Sequence, residues 1–305
     1  MDLPLLPIAF GLFVVGALAL DLGLLRRRGD HQIKPREALA WTGLWVSLAL
    51  GFGLLVFATR GGDTALAYLT AYLVEWSLSL DNVFVIALIF TTFAIPPRYQ
   101  HRALVLGVLG ALVMRLVLIF AGTALVERFD WLLPLFGAFL IFTGVRMFRG
   151  GHGEGHEGEP AVIRFLRARL PITDGLRGER FTVVEAGKRF LTPLGLALVS
   201  IEAMDLVFAV DSIPAALAIS PDPFVIYTSN AFAILGLRSL YFLIAEARER
   251  FSLLAYGLAA TLLFIGAKLI AGPTLDFHLP PAVSLGAVIL FIGGSVALSL
   301  LRRPR

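Results

Sequence analysis

The sequence predicts an all-α fold: a polytopic membrane helix bundle of about nine transmembrane helices containing two inverted three-helix repeats. Three observations carry that prediction. Apolar residues fill 58% of the 305 positions before the 30 glycines are counted, whereas an average soluble chain reaches about 45 to 50% with glycine included. Charged residues supply only 16%, against roughly 25% in soluble domains, so the apolar excess belongs in lipid. The apolar residues are also gathered into runs of about 20, the length a helix needs to cross the hydrocarbon core.

In chain order the runs fall near 5–25, 38–58, 64–94, 103–123, 131–148, 192–220, 223–245, 251–271 and 281–301. The first follows Met1-Asp2-Leu3-Pro4. With neither a basic leader nor a small-residue cleavage site there, it reads as a retained helix and not a signal peptide. Residues 1–60 hold two leading spans, 64–148 a first unit of three, 149–191 a loop, 192–272 a second unit of three, and 280–305 a last span with a short tail. Alternate connections carry the basic residues: Arg26, Arg27, Arg28, Lys34 and Arg36, then Arg98 and Arg102, the stretch from Arg149 to Arg189, Arg248 and Arg250, and Arg302, Arg303 and Arg305. The opposite connections hold only Arg60 and Arg128. The positive-inside bias therefore puts the amino terminus outside and the carboxyl terminus in the cytoplasm.

The loop at 149–191 opens with a Gly-, His- and Glu-rich stretch, 152–159, too polar to pack. Its imidazoles and carboxylates suit a divalent cation, but a solvated loop is the simpler reading. Further on, Phe181-Thr182-Val183-Val184 and Lys188-Arg189-Phe190 flank Glu185-Ala186-Gly187, a hairpin pattern with a glycine for the turn.

Several function classes drop out. Without cysteine there is no disulfide, thiolate metal site, iron–sulfur cluster or cysteine nucleophile. The net charge of +4 sits in short connections, not on the basic face of a soluble domain, which argues against nucleic acid as a partner. No nucleophile and base pair or phosphate-cradling glycine loop is present, so no catalytic residue and no enzyme activity is expected.

The chemistry lies in the spans themselves. The third reads Glu75-Trp76-Ser77-Leu78-Ser79-Leu80-Asp81-Asn82, and the sixth Glu202-Ala203-Met204-Asp205 followed by Asp211-Ser212. In both, two acids lie six positions apart and the second precedes a small polar residue. Arg115 and Arg238 lie in the fourth and seventh spans, and Gly144-Val145-Arg146 and Gly266-Ala267-Lys268 in the fifth and eighth. Counting crossings, the two units run in opposite directions, the plan of many secondary transporters with midplane sites. Each intramembrane carboxylate costs on the order of 2.5 to 3.5 kcal/mol on insertion scales. Arg146 and Lys268 lie near span ends and can snorkel, which leaves Arg115 and Arg238 to balance five acids. Ion pairing that merely holds the bundle together is one reading; a cation or proton site is the stronger one.

A six-residue step turns a helix about 600°, which sets Glu75 about 120° from Asp81, and Asp205 likewise from Asp211. Pro214 cannot donate to the Val210 carbonyl, so a break beside Asp211 is expected. The candidate metal ligands are Glu75, Asp81, Asn82, Glu202, Asp205, Asp211 and Ser212, hard oxygen donors that suit Mn²⁺, Mg²⁺ or Ca²⁺. Arg115 and Arg238 are the charge-balancing pair. His31, His101 and His278 fall in connections and read as solvated surface.

At these segments the chain resembles a known family. Glu75 through Phe84, Asp205 through Pro214 and Thr228 through Arg238 resemble the TerC family, especially its Alx-type members, and the likeness runs from the first span to the ninth, including Phe190-Leu191-Thr192-Pro193. The resemblance implies a bacterial inner-membrane protein related to the lysine-exporter superfamily, implicated in Mn²⁺ efflux and historically named for tellurium resistance. It also implies that Glu75, Asp81, Glu202, Asp205 and Asp211 are metal-site residues. Mn²⁺ is then cargo, and no permanently bound cofactor is expected. Rival readings are a carrier for Ca²⁺ or protons, and a membrane partner that helps metallate or assemble secreted proteins through the 149–191 loop.

Overall fold

A computed structural model describes residues 7–17, 35–129, 131–150, 161–185, 187–244, 253–275 and 279–301. Its elements are α1 (Pro7–Ala17), then α2 (Pro35–Arg60), α3 (Gly62–Thr92), α4 (Pro97–Arg128), α5 (Leu132–Gly150), α6 (Ala161–Arg169), β1 (Thr182–Glu185), β2 (Lys188–Leu191), α7 (Pro193–Ile219), α8 (Pro223–Ile244), α9 (Leu254–Leu275) and α10 (Pro281–Leu301). The fold is an all-α polytopic membrane bundle. Helices α2, α3, α4, α5, α7, α9 and α10 are long and apolar enough to cross a membrane, while α1 and the Pro223–Leu237 part of α8 are shorter apolar helices. Every predicted run has a helix over its described residues.

Proline sets many of the starts. Helices α4, α7, α8 and α10 begin on one, where its missing N–H belongs to the unpaired first turn and its fixed φ suits the helix. Between α2 and α3 the chain turns on Gly61 at φ +91°, a conformation that favours glycine.

The predicted hairpin is present: β1 pairs antiparallel with β2 in register Glu185↔Lys188, and Gly187 has φ +74°. Thr192 ties it to α7. Its Oγ1 accepts from Gly195 N at 3.1 Å and donates to the Arg180 carbonyl at 2.6 Å, while its own N–H donates to the Phe181 carbonyl at 3.0 Å. Thr192→Val keeps the shape and loses the hydroxyl, so it is expected to lower the unfolding free energy by about 1 to 2 kcal/mol, read from thermal melts in detergent. The amphipathic helix α6 was not anticipated. Val162, Ile163 and Leu166 pack it on the core cluster while Arg164, Arg167 and Arg169 stay exposed. Residues 152–159 lie outside the described residues.

Four helices form the middle of the bundle: α3 packs on α8 and α7, and α4 on α7 and α8. Beside them α5 lies along α9, with α2 flanking α3 and α8, and α10 covering α9 and α3. The α5 and α9 backbones nearly touch. A Cβ built at Gly137 would come 2.8 Å from the Gly266 carbonyl oxygen, and one at Gly266 would come 2.7 Å from that of Gly137. Gly144 meets Ala259 and Leu263 in the same way that Gly266 meets Gly137 and Ile141. Small residues admit this approach between membrane helices, where dispersion replaces the hydrophobic drive.

The expected break at Pro214 is absent: α7 runs unbroken from Pro193 to Ile219 with the proline inside it. One missing donor removes one rung, and the ladder on either side holds the helix together. His101 also departs from expectation. It lies in the second turn of α4, not in a connection, with its ring 6.2 Å from that of Phe242. Lys268 reaches a partner inside the bundle, donating to Ser284 Oγ at 3.2 Å. His31 and His278 lie outside the described residues.

Candidate functional site

At the meeting point of the four middle helices sits one buried guanidinium. Arg115 of α4 is 1% exposed, on a face that also buries Ala111, Leu112 and Ile119. Its Nη2 donates to Asp205 Oδ1 at 3.0 Å and its Nε to Asp205 Oδ2 at 3.3 Å, a fork closing on a carboxylate. Its Nη1 pairs with Glu75 and donates to Asn230 Oδ1 at 2.7 Å and to Ser212 Oγ at 3.2 Å. The Asn230 amide is itself oriented by donating to the Ile226 carbonyl at 3.1 Å. Carboxylates from α3 and α7 thus converge on one cation from α4, with further oxygens from α7 and α8. Two acids against one arginine leave the cluster negative, in surroundings where charges are tolerated only when compensated.

Asp205 has a second neighbour. On another side it lines, with Asn82, a cavity of about 30 Å³ between α3, α4, α7 and α8 whose remaining walls, Val85, Met204 and Phe208 among them, are apolar. That volume admits a guest of water or ion size. Asp205 therefore touches both the arginine and the cavity.

The other predicted residues are distributed around this centre. Glu202 lies one helical turn before Asp205. Its carboxylate rests on the backbone of Gly110 in α4, where any Cβ would collide with it, and among the described residues it has no hydrogen bond or ion pair. Asp211 faces another way: Thr143 of α5 donates to its Oδ1 at 3.4 Å. The six-residue step therefore does turn Asp211 away from the Asp205 face, as helical periodicity requires. The side chains of Asp81 and Arg238 lie outside the described residues. Among the described residues no three His, Asp or Glu side chains form a metal-holding group, and Glu75, Asp205 and Ser212 serve Arg115.

Comparison with known proteins places this architecture. The profile described as "Integral membrane protein TerC family" matches residues 60–305. The chain belongs to that family. Among similar proteins, an uncharacterized membrane protein of Myxococcus xanthus is 47% identical over 95% of this chain and 90% of its own length. The Escherichia coli K12 protein named "Putative membrane-bound redox modulator Alx" is 48% identical over 93% of this chain and 91% of its own. A membrane protein of Rickettsia felis is 39% identical over 97% of both. No solved structure matches the chain.

Within this TerC-family bundle, three residues at the site escaped sequence reasoning. Asn230 closes a polar triplet, Thr228-Ser229-Asn230, inside a predicted span, and an amide there is a legible signal because it needs a partner in lipid. Thr143 gave a weaker one, since threonine commonly bonds its own helix. Gly110 gave none: its role is the space it leaves for a carboxylate more than 90 positions away.

Proposed function

We propose that this chain is a divalent-cation carrier of the bacterial inner membrane, exporting Mn²⁺, with its amino terminus outside and its carboxyl terminus cytoplasmic. The observation that carries the reading is the convergence of Glu75 from α3 and Asp205 from α7 deep in the bundle, beside a cavity that Asp205 and Asn82 line. Intramembrane carboxylates facing the bundle interior mark ion paths, and the hard oxygen set selects Mn²⁺, Mg²⁺ or Ca²⁺ over softer metals. Family resemblance supplies the choice of manganese and of export.

The three-helix units α3–α5 and α7–α9 are read as inverted repeats. Their contacts support this, since α3 meets α8 as α7 meets α4, and α5 meets α9 through glycines on both sides. In such a carrier the ion enters from the cytoplasm, sits between carboxylates of both units, and leaves outward as the units rock. The chain has no cysteine, so a redox role like that in the relatives' name would run here through a redox-active metal ion and not through thiols.

The test is Mn²⁺ flux in proteoliposomes. Glu75→Gln and Asp205→Asn are each expected to cut initial flux by on the order of tenfold to a hundredfold; undiminished flux in both would overturn the reading. Competition by Mg²⁺, Ca²⁺ and protons in the same vesicles ranks the cargo.

A further inference from the structure

We propose that Arg115 is a tethered rival of the transported ion: the guanidinium and the divalent cation take turns in one oxygen cage. This rests on the divalent-cation reading above and adds how that site fills and empties.

The cage has the right atoms for both occupants. Asp205 contributes two oxygens, and Glu75, Asn230 and Ser212 one each. An all-oxygen shell rich in carboxylate is what a hard divalent ion collects; the arginine fork gathers the same oxygens through N–H donors. Two carboxylates are fully neutralised by a divalent ion and half neutralised by the arginine. Both cations together would bring three positive charges into one nearly dry space, where like charges repel far more strongly than in water. Occupancy is therefore exclusive.

An ion in the cavity meets Asp205 next to Asn82 without first passing the guanidinium. When the ion leaves, the arginine returns and the carboxylates are again partnered, so the carrier resets without burying unpaired charge.

The test is equilibrium Mn²⁺ binding to the full chain in nanodiscs, with free Mn²⁺ read by electron paramagnetic resonance. Arg115→Gln removes the rival, and its Kd for Mn²⁺ is expected to fall about tenfold or more. Arg115→Lys, a rival without the fork, is expected between parent and Gln variant. In vesicles the Gln variant should lose net Mn²⁺ efflux yet retain Mn²⁺-for-Mn²⁺ exchange, a split that loss of folding would not produce. If the parent binds Mn²⁺ and neither Arg115 variant binds it more tightly, the rivalry is wrong and Arg115 is only a structural tie. If the parent binds no Mn²⁺ and moves none, the carrier reading itself fails. Should the Gln variant not fold, the Lys variant decides: tighter binding than the parent supports the exchange, and equal or weaker binding overturns it.

Discussion

Arg115→Leu is expected to lower the stability of the ion-free bundle by about 3 to 5 kcal/mol. Leucine fills much of the space, so packing is a small part of the loss. The cost comes from Glu75, which is 2% exposed, and Asp205, both left without the cation that compensates their burial. Thermal unfolding in detergent without divalent ions measures it, and a loss under about 1 kcal/mol would mean that the carboxylates find other partners. Glu75→Leu together with Arg115→Leu removes both members of the most buried pair and is expected to recover part of the loss. Mn²⁺ should raise the melting point of Arg115→Leu more than that of the parent, since a ligand that binds only the folded state stabilises it by mass action.

The second large effect concerns the α5–α9 contact. Even an alanine at Gly266 would place its Cβ 2.7 Å from the Gly137 carbonyl oxygen and 2.9 Å from Ile141 Cγ1. Neither helix can yield by moving one side chain, because the first obstacle is backbone. Gly266→Ala is expected to cost about 1 to 3 kcal/mol as overpacking, and Gly266→Val, with two more methyl groups, to prevent recovery of a monodisperse folded protein on size-exclusion chromatography. Gly286→Ala is the control, since nothing lies within 4 Å of a Cβ there. Equal behaviour of Gly266→Val and Gly286→Ala would show that the close approach contributes nothing to the fold.

The parts legible in the sequence were those governed by composition and local chemistry. Lipid-length apolar runs gave the helices, prolines marked many of their starts, and Gly187 gave the hairpin turn. The acids stood out because each is costly in a bilayer, and Arg115 and Arg238 because they were the two deep cations available to balance them. What stayed hidden depended on which helix faces meet. Periodicity alone put Asp205 and Asp211 on different faces, yet it could not say that one meets Arg115 and the other Thr143. Gly110 looked like any membrane glycine until Glu202 was found against it. Pro214 misled because a local rule about one missing hydrogen bond was allowed to stand for a whole helix embedded among neighbours. Helix α6 was missed because a nine-residue amphipathic turn between polar segments gives a short signal.

The glycine contact between α5 and α9 is self-complementary: each helix offers the other the same pattern of small positions, with Gly144 standing to Ala259 as Gly266 stands to Gly137. Surfaces of that kind are isologous, the sort by which two copies of one molecule pair and the pairing closes on itself. If α3–α5 and α7–α9 are the inverted repeats proposed above, this patch is the one through which two copies of a three-span unit, inserted in opposite orientations, would pair.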